Sequence, residues 1–151
     1  MAIYGGLNMV LKHKRTEHSY EYIANARKIR QSLLTTIYRL DNTENAVEMF
    51  YRQRLLLYGA QLTYNIRMAH DIYVVTELDF KYRRLYQTRA IGITNLLMEE
   101  ITYLFELFPK YTNQFTELLE KLSKESALLK GWRKSTDKIK DKFEKSPEYT
   151  I

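Results

Sequence analysis

Apolar side chains recur every three or four residues along most of this chain, and that spacing constrains the fold more than any other feature. Four segments show it, separated by short breaks, and each places its apolar residues on one face of a helix. The pattern therefore predicts four helices, each with one buried face. The recurring residues are Ile23, Ala26, Ile29, Leu33, Ile37 and Leu40; then Tyr51, Leu55, Tyr58, Leu62, Ile66, Ala69 and Tyr73; then Tyr82, Tyr86, Ala90, Ile93, Leu97, Ile101, Leu104 and Phe108; and finally Phe115, Leu118, Leu122, Leu129 and Trp132.

The breaks carry residues that start and stop helices. Asp41 is followed three residues later by Glu44, the pattern of a capping box, so we expect Asp41 to cap the second helix. The third helix is expected to start after Thr76, with Asp79 three residues on. Proline cannot continue a helix and disfavours helical geometry in the residue before it, so Pro109 is expected to end the third helix.

Glycine and proline are scarce, with five and two residues, which argues against a β-rich fold with its many turns. Connections of only a few residues make consecutive helices antiparallel neighbours. We therefore predict an all-α fold, an antiparallel up-down-up-down four-helix bundle over residues 17–134. An N-terminal extension is expected over residues 1–16, and a charged C-terminal tail over 135–151, where apolar residues thin out.

The residue types that catalytic and metal sites of helical proteins require are missing. The absence of cysteine excludes disulfides, thiolate catalysis and cysteine-ligated zinc. None of the three histidines has the preceding glutamate of a di-iron site, and the zinc-protease motif is absent. We expect no metal, no cofactor, no catalytic residue and no enzyme activity. One alternative is a helical ribonuclease using Arg67 and His70, although a surface histidine at a helix end is the simpler interpretation.

Neither a signal peptide nor a membrane span is indicated. Near the N-terminus, the charged residues Lys12, Lys14 and Arg15 follow the apolar ones, which is the reverse of a signal peptide. The longest uncharged stretch, Leu55 to Ile66, is too short and too polar to cross a bilayer. We expect a soluble cytoplasmic protein without membrane contacts.

Positive charge is concentrated in two acid-free stretches, residues 49–70 and 80–98, of a chain whose net charge is +6. If the second and third helices form a hairpin that turns near Val75, these stretches should make one continuous positive surface that follows a phosphate backbone. An acidic protein could occupy the same surface. Exposed tyrosines beside arginines can stack on nucleobases, and Tyr38, Tyr64, Tyr103 and Tyr111 lie off the apolar faces. The predicted nucleic-acid-binding residues are Arg52, Arg54, Arg67, Lys81, Arg83, Arg84, Arg89, Lys130, Arg133 and Lys134.

The last predicted helix ends in Leu128-Leu129-Lys130-Gly131-Trp132-Arg133-Lys134. With the hairpin of long basic helices and its short turn, this ending resembles the Avd family over residues 47–134. That family comprises the accessory variability determinants of bacterial and phage diversity-generating retroelements. In this comparison Trp132 closes the apolar face, and Gly131 lets another helix approach closely.

The resemblance implies a ring-shaped homopentamer with a basic surface and no catalytic residues. It also implies binding to a reverse transcriptase and its template RNA, or an RNA/DNA hybrid, in support of mutagenic cDNA synthesis. The chain departs from the family in its longer N-terminus and in the charged tail after Lys134. The related S23-like four-helix bundle family leaves an alternative open, an oligomeric scaffold that binds only protein partners.

Overall fold

A computed structural model describes the backbone of residues 20–144 and the side chains through residue 143, and the regular structure in this part is entirely helical. Its elements are α1 (Glu21–Arg39), α2 (Ala46–Asp71), α3 (Glu77–Leu107) and α4 (Thr112–Glu144), with a 3-10 turn over Pro109–Tyr111. The predicted all-α class with four helices is confirmed. None of the described helices combines the length and the apolar character needed to cross a membrane.

The start of α2 differs from the prediction. Asn45 caps this helix, and its Oδ1 accepts hydrogen bonds from the amides of Val47 at 3.0 Å and Glu48 at 3.1 Å. The capping box expected at Asp41 and Glu44 is therefore wrong. Both residues lie in the connection before the helix, because Asn45 stands next to the amides that a cap has to satisfy.

The boundaries of α3 follow the sequence signals. The amide of Asp79 donates to Thr76 Oγ1 at 3.1 Å, and the amide of Thr76 donates to the Asp79 carboxylate at 2.9 Å, so the two residues form a complete capping box. These backbone donors lower the pKa of Asp79. The helix ends at Leu107, and Pro109 begins the 3-10 turn, where its missing N–H costs nothing.

The predicted apolar faces meet in one core, with α1 against α2 and α4, and with α3 against the same two helices. Two predicted core residues are wrong. Tyr73 lies in the loop after α2, and Tyr82 lies on the outer side of α3. The predicted core residues that the structure buries are Ala26, Ile29, Leu33, Leu55, Leu62, Ile66, Ala69, Ala90, Leu97, Ile101, Leu104, Phe115, Leu118, Leu122 and Leu129.

Trp132 packs against this core, and its ring stacks on Tyr22 with centroids 4.0 Å apart. The glycine before it does not have the expected role. No described atom lies within 4 Å of the place where a Cβ of Gly131 would be, so no helix approaches closely there. The close approach occurs at Gly59, where an added Cβ would lie 2.8 Å from Leu33 Cδ1. Gly59 is therefore the position where α1 and α2 need a missing side chain.

The predicted boundary at residue 134 falls inside α4, which continues without a break to Glu144. Beyond it, buried Thr136 accepts a hydrogen bond from Gln87 Nε2 at 2.8 Å, and the ring of Phe143 lies 6.3 Å from that of Phe80. The part of the tail up to Glu144 therefore belongs to the packed helix. The N-terminal extension, residues 1–16, and the last residues of the tail lie outside the described part of the chain.

Candidate anion-binding groove

Arg52, the first of the predicted nucleic-acid contacts, is inside the protein and only 8% exposed. Its guanidinium donates to the Tyr111 hydroxyl at 2.7 and 3.1 Å and to the carbonyl of Asp41 at 2.8 Å. The Tyr111 hydroxyl donates in turn to Glu48 at 2.7 Å, and Lys110 donates to the same carboxylate at 2.9 Å. These hydrogen bonds, above all that from Lys110, lower the pKa of Glu48.

This cluster joins the start of α2, the connection before it and the 3-10 turn. The guanidinium donors of Arg52 are hydrogen-bonded within the chain, so they are not available to a ligand. The expected exposure of Tyr111 is wrong, since it is 1% exposed at the centre of the cluster. Tyr38, Tyr64 and Tyr103 are exposed as expected.

Three further predicted cations hold helices to one another. Arg54 on α2 binds Glu100 on α3 at 3.1 Å, and Arg84 on α3 binds Asp137 on α4 at 2.7 Å. Arg83 donates to a backbone carbonyl in the loop between α2 and α3. All three arginines are half-buried, and the acids partly neutralise the charge of Arg54 and Arg84, whereas the partner of Arg83 is an uncharged carbonyl.

The other predicted cations lie closer to solvent. Arg67 and Lys81 each pair with an acid one turn away on the same helix, at 3.4 and 3.5 Å, and such exposed pairs contribute little. Arg133 donates to a threonine of α3 at 3.3 Å. The expected single continuous surface is therefore wrong, because these cations are divided among the interior, two helix boundaries and several outer faces. The exposed members are Arg67, Lys81, Arg89, Lys130 and Lys134.

Positive charge converges at a place that the sequence reasoning did not select, a groove of about 670 Å³ between α1 and α2. The exposed side chains of Arg27 and Arg30 on α1 and of Arg67 on α2 line it, together with Tyr64. Arg30 donates to Thr63 Oγ1 across the groove at 3.0 Å. No acid lies among the described residues that line it. We call this groove, lined by Arg27, Arg30, Tyr64 and Arg67, the α1–α2 groove.

Helical spacing explains the convergence. Arg27 and Arg30 are three residues apart on α1, and Tyr64 and Arg67 are three apart on α2, so each pair lies on one flank of its helix. A guanidinium presents a planar fork of donors that matches phosphate oxygens, and an exposed tyrosine ring offers a flat surface for a base. Among the described residues, Asp71 forms an exposed ion pair with the groove residue Arg67.

A sequence signal for the groove exists. From Tyr22 to Leu40 the chain has four basic residues and no acid. This stretch resembles the two acid-free basic stretches from which the nucleic-acid-binding residues were predicted. A shallower depression on the other side of α1, of about 370 Å³, is lined by Lys28, Arg39 and Lys121. The positive surface thus follows α1, and only Arg67 of the predicted contacts belongs to it.

The two candidate groups of the ribonuclease alternative, Arg67 and His70, both have other contacts in the structure. The His70 ring packs edge-on against Tyr20, with centroids 4.8 Å apart, and its Nδ1 lies 3.4 Å from the Tyr22 hydroxyl. Burial lowers the pKa of His70. Arg67 pairs with Asp71 and faces the groove. Within the described residues, no group of three or more potential metal ligands converges.

Glu125 is the most perturbed acid in the described part of the chain. It is 0% exposed, on the side of α4 that faces α1, and one carboxylate oxygen accepts a hydrogen bond from Asn25 Nδ2 at 2.8 Å. The other oxygen has no partner among the described residues. Burial is the main cause that raises the pKa of Glu125 to about 8. The carboxyl group is therefore largely protonated at neutral pH.

No protein-family model matches this chain, and no curated protein or solved structure is significantly similar to it. The resemblance to Avd consequently depends on the residues named above. The function has to be argued from the geometry of the groove.

Proposed function

We propose that the protein is a non-catalytic accessory protein that binds RNA, with the backbone of one strand lying in the α1–α2 groove. The observation that carries this proposal is the groove lined by three exposed arginines and an exposed tyrosine, together with apolar side chains and with no acid among the described lining residues. In the bound state the arginines contact successive phosphates, and Tyr64 stacks on a base. A single strand fits this chemistry better than a duplex, whose bases are not available for stacking.

Three arginine–phosphate contacts predict a defined response to salt. Each neutralised phosphate of a single strand contributes about −0.7 to the slope of log affinity against log salt concentration. Three contacts give a slope of about −2, so affinity should fall about 20-fold between about 50 and about 200 mM salt. Tyr64 should add about 1–3 kcal/mol that depends little on salt.

Fluorescence anisotropy with a labelled single-stranded RNA tests the proposal. We expect the triple variant Arg27→Glu, Arg30→Glu, Arg67→Glu to lose binding at all salt concentrations, and Tyr64→Ala to weaken binding without changing the salt slope. A matched control reverses Lys130, Lys134 and Lys138, which are also exposed but lie on α4. Tyr38→Ala is the control for the ring. Equal losses in the groove and control variants, or no binding by the wild type, would overturn the proposal.

The resemblance to Avd extends this proposal to a protein partner. A retroelement reverse transcriptase would bind the same protein, which would support mutagenic cDNA synthesis from a template RNA or an RNA/DNA hybrid. Co-purification of the two proteins tests this step separately. If RNA binding persists and the polymerase does not co-purify, the function is limited to RNA binding, and we place that activity in the cytoplasm.

We further propose the antiparallel up-down-up-down arrangement for the four helices. The bonds between neighbouring helices support it, since the residue number on one helix falls as that on the other rises. The short connections between the helices favour it as well. The bonded pairs are Tyr22 with His70 and Arg30 with Thr63 for α1 and α2, and Arg84 with Asp137 and Thr88 with Arg133 for α3 and α4.

A scaffold that binds only protein partners is the second candidate. The ion pairs of Arg54 and Arg84 favour it, because these arginines serve the chain's own helix contacts. Replacing Arg83 and Arg84 by glutamate should then destabilise the fold and leave the groove intact. If the protein does not bind RNA in the anisotropy experiment although its groove is intact, that result would support this second candidate.

A further inference from the structure

The outward side of α3 carries a second apolar pattern, separate from the one that faces the core. Leu78, Tyr82, Leu85, Leu96 and Tyr103 lie on this side, and each is between 38% and 59% exposed. Their spacing fits a heptad repeat, in which steps of three and four residues alternate along one helix face. A repeat of this kind on an exposed face is typical of helices that pack against another long helix.

Three other residues complete the repeat between these apolar ones, namely Arg89, Gly92 and Glu99. Together the eight residues form what we call the α3 outer face. Gly92 is exposed, and no described atom lies within 4 Å of the place where its Cβ would be. The face therefore lacks a side chain near its middle, where no described atom stands in the way of a partner's side chain.

Charge is distributed unevenly along this helix. The N-terminal half of α3 carries its basic residues after Glu77 and Asp79 in its first turn, and the C-terminal half carries Glu99, Glu100 and Glu106. Arg89 lies over the Tyr86 ring at 5.6 Å and forms no ion pair with the described residues. Glu99 accepts a hydrogen bond from Tyr103 at 3.0 Å and is likewise outside any ion pair in this part of the chain. Two opposite charges are thus available on the face.

We propose that residues 85–103 of the α3 outer face bind the same residues of a second copy of this chain, with the two helices antiparallel around a two-fold axis. In the register that sets Arg89 opposite the partner's Glu99, Gly92 lies opposite the partner's Leu96. The same register sets Leu85 opposite the partner's Tyr103. Each leucine then fills the gap left by a glycine, and the axis repeats every contact once.

The alternatives satisfy the face less well. A parallel pair would place arginine on arginine and glutamate on glutamate, which is repulsive. A closed ring, such as the pentamer implied by the resemblance to Avd, uses two different surfaces on each subunit, whereas this face is complementary to itself. The α3 outer face shares no residue with the α1–α2 groove, so dimer formation and RNA binding are independent proposals.

Sedimentation equilibrium of the full-length protein tests the dimer. We expect a mass of about 36 kDa at micromolar concentrations, twice the 18.1 kDa of one chain. Glu99→Arg should weaken the dimer about 100-fold, because repulsion replaces attraction at two symmetric places. The double variant Arg89→Glu, Glu99→Arg restores the opposite charges and should recover most of the affinity. Leu57→Glu, a change at a similarly exposed leucine on α2, is the control and should leave the dimer intact.

Cross-linking tests the orientation, since the chain contains no cysteine of its own. Two copies of Leu96 are offset along the antiparallel pair by four residues, about 6 Å, whereas two copies of Leu78 are offset by about 48 Å. A short bismaleimide should therefore join Leu96→Cys subunits and not Leu78→Cys subunits. Equal cross-linking of both variants would indicate a parallel pair and contradict the proposal.

Three other results would also overturn the proposed dimer. One is a wild-type monomer at all concentrations, and another is a pentamer that survives the Glu99→Arg change. The third is a monomer that dimerises only after deletion of residues 1–19, since that would assign the α3 outer face to the N-terminal segment. Circular dichroism of each variant shows whether a loss of mass comes from dissociation or from unfolding.

Discussion

Single side chains in this protein differ in function according to where their partners lie. Arg52 and Arg67 are on the same helix, yet the first is enclosed by Tyr111, Glu48 and a backbone carbonyl, while the second reaches the groove. A buried guanidinium needs every donor satisfied, so the buried cluster keeps Arg52 in place. An exposed guanidinium with one weak pair can exchange it for a phosphate.

Glu125 gives the protein a stability that depends on pH. Its pKa of about 8 in the folded state exceeds its ordinary value of 4.5, so its contribution is fully present below about pH 4.5 and is lost as the pH rises through 8. Glutamine keeps the shape of the protonated acid and does not ionise. We expect Glu125→Gln to match the wild type near about pH 4 and to be more stable by roughly 4–5 kcal/mol above about pH 8.

Urea unfolding at a series of pH values measures this difference. Asp141→Asn removes an exposed acid from the same helix and is the matched control. If the wild-type and Glu125→Gln stabilities run parallel across the whole range, the carboxyl group is not protonated in the folded protein.

Helices in this protein are defined by local signals, but their contacts depend on single positions. The Thr76–Asp79 box begins α3, and a proline follows its end. Along the helices, glycines have opposite roles. Gly59 allows Leu33 of α1 to lie close to α2, whereas Gly131 faces open space. The first is required by packing, while the second only weakens its helix.

Two glycine substitutions should therefore have opposite effects. Gly131→Ala should raise the free energy of unfolding by roughly 0.5–1 kcal/mol, because alanine favours the helix and meets no neighbour. Gly59→Ala gains the same helix preference, but its Cβ meets buried Leu33, and the strain of about 1–3 kcal/mol should leave a net loss near 1 kcal/mol. Thermal and urea unfolding of both variants measure the two signs. A stabilising Gly59→Ala would mean that Leu33 moves aside easily.

At the scale of the whole molecule, one core joins the four helices, and the two proposed binding surfaces lie on different faces. The α1–α2 groove is concave and lined by arginines, and the α3 outer face carries exposed apolar side chains. The end of α4 belongs to the packed structure, since Thr136 accepts a hydrogen bond from the Nε2 of buried Gln87 and Asp137 binds Arg84. The molecule therefore extends beyond residue 134, where the sequence placed the end of the bundle.

Truncation tests the contribution of that last segment. A chain that ends at Lys134 loses the hydrogen bond that Gln87 donates to Thr136, along with the other packing contacts of residues 135–143. We therefore expect its free energy of unfolding to fall by about 2 kcal/mol or more. A chain that ends at Glu144 retains these contacts and is the control. Urea unfolding compares the two. An unchanged stability after removal of residues 135–151 would show that this segment is a dispensable tail.

The sequence determined the features that depend on near neighbours in the chain. Apolar spacing predicted the four helices and most of their core, because a helix turns by local geometry and buries whatever lies on its apolar side. Thr76, Asp79 and Pro109 act through backbone atoms a few residues away, so their effects were also predictable. The capping prediction at Asp41 failed because two adequate caps stood close together.

Only the tertiary structure decided which charged side chains are paired within the chain and which are exposed to solvent. Arg54 and Arg84 find their acids on other helices, 46 and 53 residues away in the chain. Tyr111 is buried because Arg52 and Glu48 from α2 enclose its hydroxyl. The groove arises where two flanks of different helices meet, a pairing that no local pattern encodes. Exposure is a property of the packed surface, which forms only when distant segments come together.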